Sequence, residues 1–183
     1  LNTLFVALCN NEAFCALDFS NLQVTLSGGM ALTHDAANRW AEVTGCRVSE
    51  GYGLTETSPT VSANPGNGVQ IGTIGVPVPG TEVQIRDDEG NPLGLDEAGE
   101  LCVRGPQVMA GYWQRPEATA EVIDSDGWFA TGDIALVQPD GYMRIVDRKK
   151  DMIVVSGFNV YPNELEDALV AHPEVVECAA VGV

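Results

Sequence analysis

The sequence predicts an α/β unit, then an antiparallel β region, then the start of a small α+β domain. Three observations carry this prediction. Residues 22–51 read strand–turn–helix–strand, residues 66–147 are short β runs broken by Gly, Pro and Asp, and the pattern changes again after the charged tetrapeptide 148–151. The expected units are therefore 1–65, 66–147, a linker at 148–151, and 152–183.

In residues 1–20, Leu4, Phe5 and Leu8, then Phe14 and Leu17, stand at helical spacing. Residues 22–26 alternate as a strand and run into the turn signal Ser27-Gly28-Gly29. Thr33 can cap a helix reaching Thr44, with Ala36, Ala37, Trp40, Ala41 and Val43 along it and Gly45 suited to its end. Residues 46–50 are strand-like. SEGYGLTETSPT, 49–60, then reads as a polar turn made tight by Gly51 and Gly53. Further on, 81–86, 99–104, 134–137 and 142–146 are β runs separated by DDEGNP and PDG, an antiparallel sheet or small distorted barrel. Residues 116–122 form a helix with Pro in its first turn. Residues 152–155 and 158–160 are strands joined by Ser156-Gly157, 162–171 is a helix, and 175–183 is a last strand.

The 183 residues are 45% hydrophobic and 19% charged, enough for one good core or two small ones. No stretch approaches the length of a transmembrane helix. The opening LNTLFVALCNNEAF lacks an initiator Met and a basic leader, and the ending VVECAAVGV is an apolar run without a cap. Both ends are expected to be cuts inside a larger protein. Net charge is −17, from 26 acidic and 9 basic residues. That argues against nucleic acid as a partner, since a phosphate backbone needs a basic face, and weakly against adhesion to anionic lipid. Arg144, Arg148, Lys149 and Lys150 leave one local cationic spot. The five cysteines lack CxxC spacing and read as reduced, mostly buried thiols of a cytoplasmic protein.

Two turns of the α/β unit carry the residues most suited to chemistry. Ser27-Gly28-Gly29 and 50–56 both follow predicted strands and should lie side by side, where glycines let a ring or phosphate approach the backbone. Thr55 can donate to a phosphate oxygen. Glu56 can bind Mg²⁺ that bridges to phosphate. On residue types alone, a surface turn with Glu56 solvated is the simpler reading, because an isolated Gly-x-Gly is a weak signal. Asp133, in Thr131-Gly132-Asp133, could accept from both hydroxyls of a ribose, or be an ordinary turn residue. Arg148 could support it, or be solvated. Lys149 and Lys150 are expected to be solvated, with a hinge role open. His34 and His172 read as surface residues, and Tyr112, Trp113 and Trp128 as core or interface packing.

EGYGLTET, TGDIA and DRKKDMIVVSGFNVYPNELEDAL, in this order, resemble the adenylate-forming superfamily of acyl-CoA synthetases and luciferase-like enzymes. Within it they are most similar to the bacterial long-chain-fatty-acid–CoA ligases. GELCVRGPQVMAGYWQRPEAT and DGWFATGDIALVQPDGYMRIVDRKK strengthen the resemblance, which covers the whole chain.

The resemblance implies the end of a large α/β adenylation domain, its distorted β-barrel subdomain, and the start of a small α+β C-terminal domain. It implies that a fatty acid attacks the α-phosphate of ATP, giving acyl-AMP and pyrophosphate, and that CoA then takes the acyl group. Gly28, Gly29, Glu50, Gly51, Tyr52 and Gly53 would line the adenine and AMP pocket. Thr55 would meet the α-phosphate and Glu56 would hold Mg²⁺. Asp133 would accept from the ribose, with Arg148 beside it. Lys150 matches the hinge about which the small domain turns. Ser156, Gly157 and Phe158 match the loop that faces CoA. The family's Ser/Thr/Gly-rich phosphate loop is expected upstream of residue 1, and its late lysine downstream of Val183. A fragment lacking both should be inactive alone. Another acid substrate and a non-catalytic nucleotide-binding module are the rival readings. Peripheral association with the inner face of a membrane and a homodimer stay open for the full enzyme.

Overall fold

The structure, a computed structural model, describes residues 2–29, 32–155, 158–170, 172, 175 and 178–182. Two short helices, α1 (Asn2–Cys9) and α2 (Glu12–Cys15), open the chain. After β1 (Thr25–Ser27) comes α3 (His34–Thr44). Thr33 starts α3 by accepting the Ala36 N–H on its hydroxyl at 3.3 Å, and Gly45 ends it at φ +71°. The apolar face of α3 buries Ala36, Ala37 and Trp40 against Phe5, Cys9, Leu32 and Val48. Phe5 meets the Trp40 ring edge-on at 4.8 Å.

The next strand, β2 (Val48–Gly53), pairs parallel with β1, Ser27 lying opposite Glu50. A single 3₁₀ turn (Thr55–Thr57) then reverses the chain into β3 (Thr60–Ala63), antiparallel to β2, and β4 (Val76–Pro77) follows. The turn expected at Gly51 and Gly53 is thus one step later in the chain. Residues 51–53 belong to β2, because their backbone has a partner in β3. Buried Thr57 ties the reversal, its hydroxyl accepting the Leu54 N–H at 3.0 Å and donating to the Pro59 carbonyl at 2.6 Å.

A second sheet has the antiparallel order β5 (Glu82–Arg86), β6 (Gly99–Arg104), β7 (Phe129–Val137), β8 (Met143–Arg148), with α4 (Pro116–Val122) inserted before β7. Val61 of β3 packs with Ile85, Leu101, Val103, Ala135 and Met143 in one core that joins the two sheets. The expected barrel does not close among the described residues. The free side of β8 is bridged to Gly75, not to β5: Met143 donates to the Gly75 carbonyl at 2.9 Å and accepts from Ile74 at 2.8 Å. Leu101 is 0% exposed at the centre of this core. Leu101→Ala should therefore cost about 2–5 kcal/mol in a denaturant titration of the full-length protein.

A short antiparallel pair, β9 (Ile153–Val155) and β10 (Phe158–Val160), precedes α5 (Pro162–Val170). Buried Asp147, next to the end of β8, accepts the Asn163 N–H at 3.0 Å in the first turn of α5. No strand forms at the described residues among 175–183. The Ala180 N–H goes to a Glu166 carboxylate oxygen at 2.9 Å, so it is not available to a neighbouring strand. All five cysteines are free, and Cys9, Cys46 and Cys102 are buried, as expected. No helix of the described residues is long and apolar enough to cross a membrane.

Candidate functional site

Parallel pairing of β1 and β2 sets their carboxyl ends side by side, where ligands of open α/β sheets gather. Gly28 and Gly51 make the close approach there. A Cβ on Gly28 would stand 3.2 Å from the Gly51 carbonyl oxygen, and a Cβ on Gly51 would stand 3.2 Å from that of Ser62. Gly29 follows at φ +84° with open space around it. The Ser27 hydroxyl is buried without a hydrogen-bond partner among the described residues.

Glu50 points inward and is 7% exposed. Its two carboxylate oxygens accept the Leu32 N–H at 3.1 Å and the Gly72 N–H at 3.0 Å. A buried carboxylate needs such donors, and here they fasten a segment on each side of β2.

The next inward side chain is Tyr52. Its phenol donates to Asp133 Oδ2 at 2.5 Å, joining β2 to β7. Burial pushes the Tyr52 phenol far above its ordinary range, and the Asp133 carboxylate adds to this. Gly132, at φ +75°, precedes Asp133 within β7. Asp133 stands opposite Arg148 in the β7–β8 ladder, and Arg148 Nε lies 3.7 Å from Oδ1. The Arg148 side chain is 64% exposed, so this pair contributes little to stability.

Past Gly53, the 3₁₀ turn carries Thr55, exposed, and Glu56, half-buried. Glu56 Oε1 accepts from the Tyr112 phenol at 2.9 Å, and the Glu56 carbonyl accepts the Met109 N–H at 2.8 Å. The Glu56 bond raises the Tyr112 phenol above its ordinary value. Glu56 Oε2 accepts no hydrogen bond among the described residues. No cluster of three or more His, Cys, Asp or Glu side chains suited to a metal occurs among them either. One such carboxylate fits Mg²⁺, which takes one or two protein carboxylates and completes its shell from water and phosphate.

Two expectations need correction. Tyr112 is 37% exposed and Trp113 87%, which removes the core half of the core-or-interface reading for both; of these three rings Trp128 alone is buried, with the Arg86 and Arg104 guanidinium groups 5.2 and 4.6 Å from its ring. Lys149 is not simply solvated: its ammonium bonds Glu100 at 2.7 Å, which raises its pKa. Tyr112, which bonds Glu56, was not among the expected site residues. Its sign in the sequence is faint: an aromatic residue beside Gly111 in a segment without strand or helix period. His34 is exposed, as expected. Lys150 is exposed, and no ion pair among the described residues brings it to the site. Phe158 lies exposed on β10. Ser156 and Gly157 lie outside the described residues.

A family model for AMP-binding enzymes matches residues 1–113. The chain belongs to the AMP-binding enzyme family. Within that family it is 58% identical to the long-chain-fatty-acid–CoA ligase of Salmonella typhimurium, over 100% of this chain and 33% of that protein. It is 43% identical to a feruloyl-CoA synthase of an Amycolatopsis species, over 99% of this chain and 37% of that protein. The ATP-bound crystal structure of MatB from Rhodopseudomonas palustris is similar to this chain with a TM-score of 0.88 at 35% identity, covering 100% of this chain and 36% of MatB. The chain spans about a third of the length of the curated relatives it matches.

Proposed function

We propose that the chain is part of a long-chain-fatty-acid–CoA ligase, which activates a fatty acid with ATP to acyl-AMP and passes the acyl group to CoA. The observation that carries this is the identity over the whole chain, 58% to a fatty-acid ligase against 43% to a feruloyl-CoA synthase. The ATP-bound neighbour of the same fold supports ATP as co-substrate.

On this reading Gly28, Gly29, Gly51 and Gly53 clear space for adenine and AMP, and Glu50 keeps the walls of that space fixed through Leu32 and Gly72. Asp133, oriented by Tyr52 and flanked by Arg148, accepts from the vicinal hydroxyls of the ribose. Thr55 donates to the α-phosphate. Glu56 holds Mg²⁺, which when bound supplies positive charge to the phosphates as pyrophosphate leaves. Residues 1–65 then belong to a large α/β domain, 66–147 to its β subdomain, and 152–183 to a small domain. Lys150 lies at the 148–151 pivot about which that small domain turns between the two half-reactions. Lys149, bonded to Glu100, anchors the side of the pivot nearest β8. Ser156, Gly157 and Phe158 face CoA in the second.

The test is ATP–pyrophosphate exchange by the full-length protein over a panel of acids. Exchange should be fastest with long-chain fatty acids and absent for this chain alone. Fastest exchange with an aromatic acid would move the assignment to another acid–CoA ligase. Nucleotide binding with no exchange for any acid would make the protein a binding module.

A further inference from the structure

The segment after β6 grips residue 56 at two points. The Met109 N–H holds the Glu56 carbonyl at 2.8 Å, and the Tyr112 phenol holds Glu56 Oε1 at 2.9 Å. Tyr112 is itself anchored. Its N–H donates to Thr119 Oγ1 of α4 at 2.9 Å, and that hydroxyl donates to the Arg115 carbonyl at 2.9 Å. Gly111, at φ +148°, packs so tightly on Thr119 that a Cβ would lie 2.8 Å from its methyl group. α4, the loop and Glu56 therefore form one connected support.

We propose that Tyr112 is a positioning residue for Glu56: its phenol fixes one carboxylate oxygen and leaves the other for a divalent cation. This rests on the reading of Glu56 as a cation ligand. Three points of chemistry favour it. A glutamate on an exposed turn has several rotamers, and a cation that binds it must order them; a preformed bond removes part of that cost. The phenol is a neutral donor, so the carboxylate keeps its full charge, whereas a Lys or Arg partner would compete with the cation. The phenol also makes no other hydrogen bond among the described residues, and its ring is too exposed for the hydroxyl to be a core requirement.

The experiment compares Tyr112→Phe, Glu56→Gln and the double variant in the full-length protein. Mn²⁺ serves as the probe, and its binding in the presence of ATP is read by electron paramagnetic resonance. Tyr112→Phe should weaken Mn²⁺ binding about tenfold, with an unchanged melting midpoint and an unchanged KM for the fatty acid. It should also raise the Mg²⁺ concentration for half-maximal exchange by a similar factor. The double variant should bind Mn²⁺ no more weakly than Glu56→Gln alone, since Tyr112 acts through Glu56. Thr119→Val, which removes the acceptor for the Tyr112 N–H, should weaken Mn²⁺ in the same direction by less. Wild-type Mn²⁺ affinity in Tyr112→Phe, or losses that add in the double variant, overturns the positioning role. If the wild type lacks exchange altogether, the proposed function fails instead, a result that the Tyr112 comparison does not mimic.

Discussion

On the proposed function, Glu56→Gln in the full-length protein should lower kcat for fatty-acid-dependent ATP–pyrophosphate exchange about a hundredfold or more. The two side chains have the same shape, and Gln Oε1 can still accept from the Tyr112 phenol, so the turn should keep its form. What is lost is the charge. A Mg²⁺ held there would lose the anionic ligand that Glu56 offers, and the positive charge it would supply to the phosphates would be less well held. Stability should be unchanged, because Glu56 is only half-buried and its backbone carbonyl bond to Met109 is untouched. Exchange lowered by that factor with an unchanged denaturation midpoint is the expected pair of results. Exchange within a fewfold of wild type removes Glu56 from the metal site.

Gly53→Ala should have the largest effect on the fold. A Cβ at residue 53 would lie 1.7 Å from the Pro59 carbonyl oxygen and 2.6 Å from its carbonyl carbon. Those atoms are backbone, so no side chain can swing away; β2 and β3 must part at the start of the 3₁₀ turn. The register between them already shifts between Tyr52 and Gly53, so the strain falls where pairing is weakest. Parting moves Tyr52 away from Asp133 and Glu56 away from Tyr112. The expected cost is about 3 kcal/mol or more, in the range of a severe backbone clash. Gly141→Ala is the control. Gly141 has φ +86° and nothing within 4 Å of an added Cβ, so only the cost of a left-handed alanine applies, about 1 kcal/mol. Equal costs for the two substitutions in denaturant titrations contradict the contact explanation.

Much of this was legible in the sequence. The ends of α3 were written in Thr33 and Gly45, whose chemistry is local and does not depend on what packs around them. The same holds for Pro116 at the start of α4. The pairing of Ser27-Gly28-Gly29 with Glu50–Gly53 followed from two strands of one α/β unit. What could not be read was set by partners far away in the chain. Whether Gly51–Gly53 is turn or strand depends on β3, a strand of only four residues with one large apolar side chain, Val61. The barrel stayed open because β8 meets Gly75, a contact between residues 68 positions apart that leaves no periodic trace. Residues 175–183 have strand composition, but their described part finds no neighbouring strand. Within the site, Asp133 and Arg148 were readable as a polar pair. Tyr52 as the partner of Asp133, and Tyr112 as the partner of Glu56, were not, since each bond spans more than fifty residues.

We propose that the β2 terminus and Asp133, joined through Tyr52, form one nucleotide site. Calorimetric titration of ATP into full-length wild type and Asp133→Asn tests it most directly. The asparagine can still accept from the Tyr52 phenol but loses the charge and one of the two acceptor oxygens offered to a ribose. ATP affinity should fall about tenfold or more, the scale of a lost hydrogen bond to a charged group, with the fold intact. Unchanged ATP affinity in Asp133→Asn would contradict the account.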